Sequence, residues 1–276
     1  MIQRKAMNTA LAYTVVSLGA IIMILPFFWM VSTSLKVYEQ QVTFPPTWIP
    51  NPVTFLNYVH VWKLVPLAHY YFNSIKITVF VLLGQILSCS LAAFALARLR
   101  FKGREFMFVL ILVTMMLPYQ VTIIPRFLLM KALGWLDTYY PFTVTAFFGG
   151  AFNTFLLRQY LMTLPSELDE AARVDGCTPF QTYWRITLPL VKPALLTVGI
   201  FTFMGSWNDF FGPLIYISSS DKYTLQLGLA FLRNYGDVEM GLLMAASVVA
   251  VLPILIIYFL GQSYFVEGIA LTGLKE

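Results

Sequence analysis

Six stretches of apolar residues alternate along the chain with polar segments, at about residues 10–35, 73–97, 106–127, 139–161, 190–217 and 241–264. About 20 apolar residues rising 1.5 Å each match the roughly 30 Å hydrocarbon core of a bilayer. The pattern therefore predicts an all-α polytopic membrane protein of six transmembrane helices, with residues 1–276 forming a single domain. Pro118 and Pro125 inside the third stretch predict a kink there. Gly149, Gly150 and Asn153 lie near the middle of the fourth, where small residues permit close helix contact. Between the first two stretches, residues 36–71 are rich in proline, with Asn51 placed as an N-cap and Pro52 at the first helical position. Phe55, Tyr58, Val59 and Trp62 then fall on one helical face. They predict an amphipathic helix at the membrane surface or against neighbouring spans. Before the last stretch, Gly236-Asp237 is a turn signal.

The longest polar interruption of the second half lies at residues 164–193. Ser166 and Asp169 resemble a capping box, and Glu167, Asp169 and Glu170 occupy the first turn, where a helix dipole favours acids. Leu168, Ala171 and Ala172 form a narrow apolar face, and Asp169 and Arg173 are an i,i+4 pair. Gly176 supplies a left-handed stop. A second helix opens with Thr178 as N-cap, Pro179 at N1 and Gln181 at N3, a complete capping box. Its face is Phe180, Tyr183, Trp184 and Thr187, and Pro189 is expected to end it by displacing Leu188 from the α region. Reversing the chain needs only about 2–8 residues, so two capped helices predict a docking element for another protein.

Composition agrees with a membrane class. The chain has 276 residues, 59% hydrophobic and 11% charged, whereas soluble chains average about 25% charged. The net charge of +5 reflects basic residues at span ends and gives no reason to invoke nucleic acid. Arg4, Lys5, Arg98, Arg100, Lys102, Arg104, Arg158, Arg173, Arg185, Lys192 and Lys275 fall on one side of the predicted topology. Lys36, Lys63, Lys76, Arg126, Lys131, Lys222 and Arg233 fall on the other. This asymmetry places both termini in the cytoplasm. The first stretch exceeds the ~7–15 residues of a signal-peptide core and reads as a retained span. Cys89 lies in a span and Cys177 in the polar segment, so no disulfide is expected between them. Neither they nor His60 and His69 show metal-ligand spacing. No nucleophile–base set points to an enzyme.

Glu170-Ala171-Ala172, then Gly176, then Ile186-Thr187-Leu188-Pro189 match the EAA---G---------I-LP signature with its spacing intact. In this the chain resembles the permeases of binding-protein-dependent ABC importers. Residues 29–36 (WMVSTSLK), Phe44-Pro45, residues 206–214 (SWNDFFGPL) and residues 265–276 (FVEGIALTGLKE) extend the resemblance. They resemble the carbohydrate-uptake branch, particularly the second permeases of its maltose and glycerol-phosphate types. The resemblance implies a MetI-like fold with a cytoplasmic coupling helix within residues 164–189. It assigns ATPase coupling to Glu170, Ala171, Ala172, Gly176, Ile186, Leu188 and Pro189. It also implies a bacterial or archaeal plasma-membrane location and four kinds of partner: a second, homologous permease, two ABC ATPase subunits, an extracytoplasmic solute-binding protein and a carbohydrate.

The chain has no GxxxxGK followed by Ser or Thr, and no Gly-Lys pair at all. It lacks the backbone nest and lysine that cradle nucleotide phosphates, so no cofactor is expected in this chain, and ATP and Mg fall to the partner ATPases. Polar groups are costly in lipid, about 2.5–3.5 kcal/mol for an acid at mid-span, and so mark a solute path. The candidates are Asp209 with Asn208, then Asn153, Gln85 and Gln120, with Trp207, Phe210 and Phe211 as aromatic surfaces for a sugar. Structural hydrogen bonds and aromatic packing compete for the same residues. The rival functions are an ABC permease for a non-sugar solute such as a phosphorylated polyol, and a gradient-driven secondary transporter. The latter favours inverted repeats and paired mid-membrane charges, which this sequence does not show.

Overall fold

A computed structural model describes residues 2–233 and 239–273, with side chains for residue 9, residues 11–233 and residues 239–262. Arg4, Lys5, the Gly236-Asp237 turn and Lys275 lie outside the described side chains, as do residues 265–276. Among the described residues every regular element is helical, with α-helices α1 to α15 in chain order that include the short α10 (Pro179–Thr182), α11 (Leu188–Leu190) and α14 (Leu225–Leu232). Three helices are long and apolar enough to cross a membrane: residues 11–34 of α1 (Ile2–Ser34), α4 (Leu67–Arg98) and residues 240–262 of α15 (Met240–Gly273).

The other three stretches are broken. In the third, α5 (Arg104–Met116) and α6 (Tyr119–Ala132) meet at Leu117–Pro118 with a bend of 102°. This is far beyond a kink, and Pro125 stays within α6. In the fourth, α7 (Tyr140–Thr143) and a 3-10 turn (Thr145–Phe148) stop at Gly149, whose φ of +88° is left-handed, before α8 (Ala151–Thr163) begins. In the fifth, α12 (Lys192–Trp207) breaks at Asn208 and resumes as α13 (Phe211–Tyr216).

The chain divides into two compact units. The first comprises residues 1–68 and 228–252 and contains the short helices α2 (Tyr38–Gln41) and α3 (Leu56–Leu64). Helix α3 begins after Phe55, not at Asn51-Pro52, and the Thr54 hydroxyl accepts from the Leu56 N–H. The predicted apolar face is turned outward, as a helix lying on a membrane surface requires. Phe55, Val59 and Trp62 are exposed, while Asn57 and Val61 point inward. The reason is polar: Asn57 Nδ2 donates to the carbonyls of Ser34 and Lys36, both at 2.9 Å, which the end of α1 leaves without helical partners. Tyr58 Oη and Ser34 Oγ are 2.7 Å apart in the same seam. Lys36 is buried, its Nζ 3.4 Å from Thr33 Oγ1 and 3.9 Å above the Trp29 ring. Burial pushes the Lys36 ammonium pKa down.

The second unit comprises residues 69–227 and 253–276. Its core joins α4, α8, residues 183–191 and α12 through Cys89, Ala93, Phe94, Leu157, Leu161, Tyr183, Val191, Ala194 and Val198. Helix α5 packs on α8, with Phe108 stacked on Phe155 and the Arg158 guanidinium 3.8 Å from the Phe108 ring centre. Gly84 lets α4 approach the 3-10 turn: a Cβ there would lie 2.9 Å from the Ala146 carbonyl carbon. Near Asp137, whose φ is +56°, a loop clasp forms. Its carboxylate accepts from the Ser218 and Ser219 N–H groups, the Ser219 hydroxyl and Lys222 Nζ at 2.7 Å. Lys222 first, with the Ser219 bonds, holds the Asp137 pKa well below the usual carboxylate range.

Outward-facing side chains are apolar on a scale foreign to water-facing surfaces. Residues 11–28 of α1 include Val16 at 69% and Ile22 at 68% exposure, and Met116 and Phe148 reach 80% and 83%. Such surface is stable against lipid or another apolar protein face.

Candidate functional site

Two regions of the second unit carry the candidate residues, and α12 connects them. The first is a cavity of about 540 Å³ whose polar wall includes Gln85, Tyr119, Arg126, Thr145, Asp209 and Tyr216. Helix α4 supplies Gln85, α6 supplies Tyr119 and Arg126, and the break between α12 and α13 supplies Asp209. The break has a clear cause. Asp209 Oδ1 accepts from the Gly212 N–H at 2.9 Å, capping the first turn of α13. Gly212 has no room for a side chain, because a Cβ would fall against the Asp209 carboxylate and 2.8 Å from Phe142 Cε1. The cavity thus brings one carboxyl and one guanidinium group together with hydroxyl and amide groups, beside apolar side chains that include Ile77, Val81, Leu129 and Met130, a lining suited to a solute with both hydroxyl groups and apolar faces.

The other path candidates take different places. Asn153 does not line the cavity. Its Nδ2 donates to Gln85 Oε1 at 3.0 Å and Thr202 Oγ1 at 3.1 Å, tying α4, α8 and α12 together behind the wall. Trp207 is 2% exposed, stacked on Phe203 and edge-on to Tyr71, so its faces are occupied by protein. Asn208 is exposed, and its Nδ2 returns to the Met204 carbonyl at 3.0 Å. Gln120 and Phe211 lie on exposed surface away from the cavity wall. In the sequence Tyr119 and Tyr216 carry no mark of a site, and Arg126 reads only as a basic residue beyond a span. The spacing of Tyr119 and Arg126, seven residues apart directly after Pro118, places both on one helical face.

The second region is the segment 164–193. Helix α9 (Glu167–Val174) ends at Gly176, φ +77°, in a Schellman motif: Cys177 N–H donates to the Ala172 carbonyl and Gly176 N–H to that of Arg173. The Thr178 capping box forms as predicted, with Gln181 N–H to Thr178 Oγ1 and Thr178 N–H to Gln181 Oε1. Three expectations fail. Ser166 makes no side-chain cap. Asp169 pairs with Arg98 at 3.0 Å and not with Arg173. Pro189 does not end the second helix, and Leu188 stays in the α region. Instead Tyr183–Thr187 widens to a π turn in which the Leu188 N–H reaches the Tyr183 carbonyl. That widening accommodates the proline ring, which would clash with an ordinary i−4 carbonyl. The sharp turn, 78°, comes at Val191.

Of the signature residues, Glu170, Ala171, Gly176 and Pro189 are exposed, Ile186 and Leu188 are half-buried, and Ala172 is buried. Leu188 packs against the core cluster, and Tyr183 Oη lies 2.8 Å from Ser90 Oγ of α4. Only part of the alanine face is therefore presented outward. It is joined there by Leu168, Val174, Phe180 and Trp184, all exposed. Among the described residues no group of three or more His, Cys, Asp or Glu side chains could hold a metal ion.

Comparison with known proteins matches residues 86–270 to the family described as binding-protein-dependent transport system inner membrane component. The arabinooligosaccharides transport system permease protein AraQ of Halalkalibacterium halodurans is 36% identical over 228 residues, 82% of this chain and 81% of its own. The lactose transport system permease protein LacG of Rhizobium radiobacter is 32% identical over 269 residues, 96% of each chain. Among solved structures, a chain of a bacterial ABC transporter involved in the import of the acidic polysaccharide alginate superposes with a TM-score of 0.84. It is 26% identical, and the match covers 94% of this chain and 97% of that one.

Proposed function

The chain belongs to the family of binding-protein-dependent transport system inner membrane components, and from that premise we propose that it is the permease subunit of an ATP-driven carbohydrate importer. The relatives that transport arabinooligosaccharides and lactose support a carbohydrate as the solute. The observation that carries the reading is the placement of α12. At one end its Ala194 and Val198 pack with Tyr183 and Leu188 of the signature segment; near the other, Ser206 and the adjoining Asp209 line the polar cavity. Sixteen residues span about 24 Å, so one rigid helix can carry a displacement from docking segment to solute path.

In this reading the chain acts as one transmembrane domain of six spans with both termini cytoplasmic. The three long helices, the bent pair α5–α6, the α7–α8 region and α12–α13 supply the spans. Residues 164–189 face the cytoplasm and meet one of two ABC ATPase subunits, which bind ATP and Mg, while this chain hydrolyses nothing. Glu170, Ala171, Ala172, Gly176, Ile186, Leu188 and Pro189 transmit the motion. The path is completed by a second, homologous permease and loaded by an extracytoplasmic binding protein. Asp209 faces the solute, with Asn208 beside it; Asn153 and Trp207 hold the path walls. Arg126 on the cavity wall would favour an anionic or phosphorylated solute, but Asp209 on the same wall offsets its charge.

The test is the ATPase rate of the assembled complex with and without sugar-loaded binding protein. Stimulation is expected, and Asp209→Ala should raise the sugar concentration needed for half-maximal transport. An ATPase rate indifferent to the loaded binding protein would contradict the proposal.

A further inference from the structure

We propose that Arg98 is the positioning residue that fixes the Glu170-Ala171-Ala172 helix to the membrane helices, making α9 a rigid part of α4 and α8. The proposal rests on the coupling role given above to residues 164–189. Arg98 closes α4, and its side chain is only 10% exposed. One guanidinium nitrogen lies 3.0 Å from Asp169 Oδ2 in α9. The other donates to the carbonyls of Leu161, at 2.7 Å, and Leu164, at 2.9 Å, at the C-terminal end of α8. At this end the helix runs out of its own N–H donors, and the Leu161 carbonyl keeps one backbone partner, the Leu164 N–H at 3.2 Å. A single side chain thus satisfies the end of one membrane helix, terminates another and holds the first turn of the docking helix.

The neighbouring basic residues do something else. Arg100 and Lys102 are exposed, and Arg104 pairs with Glu105 at 2.7 Å. Charge bias at a span end would be met by any of the four; the inward, three-partner geometry belongs to Arg98. It also requires arginine. The three N–H groups of a lysine radiate from one nitrogen, whereas here the carboxylate is met by one nitrogen of a planar fork and the two carbonyls by another. Without the clamp, α9 would remain attached through Ala172, the Schellman turn and its chain ends, and a push on Glu170 and Ala171 could be absorbed by the turn at residues 164–166.

The experiment uses the complete reconstituted complex and reads basal ATPase, ATPase stimulated by sugar-loaded binding protein, and sugar transported per ATP. Arg98→Lys keeps the charge and removes the fork; Asp169→Asn keeps both carbonyl contacts of Arg98 and weakens only the link to α9. Both should insert and assemble, and lower the transport-to-ATP ratio by on the order of tenfold, the size of one lost charge-assisted hydrogen bond. The double variant should lose no more than Arg98→Lys alone, since both changes open one clamp. Wild-type transport-to-ATP ratios in both single variants, or losses that multiply in the double variant, would overturn the assignment. Should Arg98→Lys fail to assemble, the ratio in Asp169→Asn decides alone. No stimulation in the unaltered complex would overturn the coupling reading itself, and this proposal with it.

Discussion

At Gly176 the backbone sits at φ +77° with open space where a Cβ would project. A side chain there costs only the left-handed conformation, about 1–2 kcal/mol for an ordinary residue. Gly176→Ala should therefore lower the unfolding free energy by about 1 kcal/mol, measurable by thermal unfolding in detergent. Gly176→Val, β-branched, should do more, breaking the Schellman turn and reducing stimulated ATPase while membrane insertion is retained; an unchanged stimulated rate would count against a coupling role for this turn. Asp137 makes a pH prediction. Its folded pKa lies below the unfolded value, so its contribution is present above about pH 4 and is lost as pH falls through the folded value. The melting temperature should fall on acidification below that range, and Asp137→Asn should blunt the fall. Residue roles were the least legible layer of the sequence. Arg98 reads there as one of four basic residues at a span end, and only the three-dimensional meeting of Leu161, Leu164 and Asp169 around it sets it apart. Trp207 reads as a sugar platform beside Asp209, yet Phe203, four residues back on the same helical face, claims its surface.

Helix ends written in local chemistry were legible, and those set by packing were not. Thr178, Pro179 and Gln181 specify a capping box through contacts three residues apart, and the box is there. Thr178→Ala should cost about 1 kcal/mol, with little effect on the buried Tyr183–Ser90 contact. Pro189, by contrast, obeys no local rule alone: burial of Tyr183, Thr187 and Val191 favours continuing the helix, and a π turn absorbs the ring. The same applies to Pro118, where composition foretells a kink but not a 102° bend. Gly149 reads in sequence as a packing glycine and sits in the structure at φ +88°, as the stop before α8. In α3 the inward position goes to Asn57, whose amide donates to the Ser34 carbonyl and shares the Lys36 carbonyl with Gln41 Nε2, a tertiary pairing that no local pattern announces.

For the whole molecule, the membrane class and the all-helical fold follow from the length and apolarity of the segments, which no soluble surface could accommodate. The link between residues 164–193 and the cavity is less accessible, because it depends on α12 touching both regions through residues far apart in sequence. That link is the central claim, and uptake in vesicles tests it most directly. Vesicles carrying this chain with the proposed second permease, ATPase pair and binding protein should accumulate labelled sugar only when ATP is present on the ATPase side. Gly212→Ala, which crowds Asp209 in the cavity wall, should reduce that uptake while leaving basal ATP hydrolysis intact. Sugar accumulation without ATP by this chain alone, or uptake unaltered by Gly212→Ala, would contradict the account.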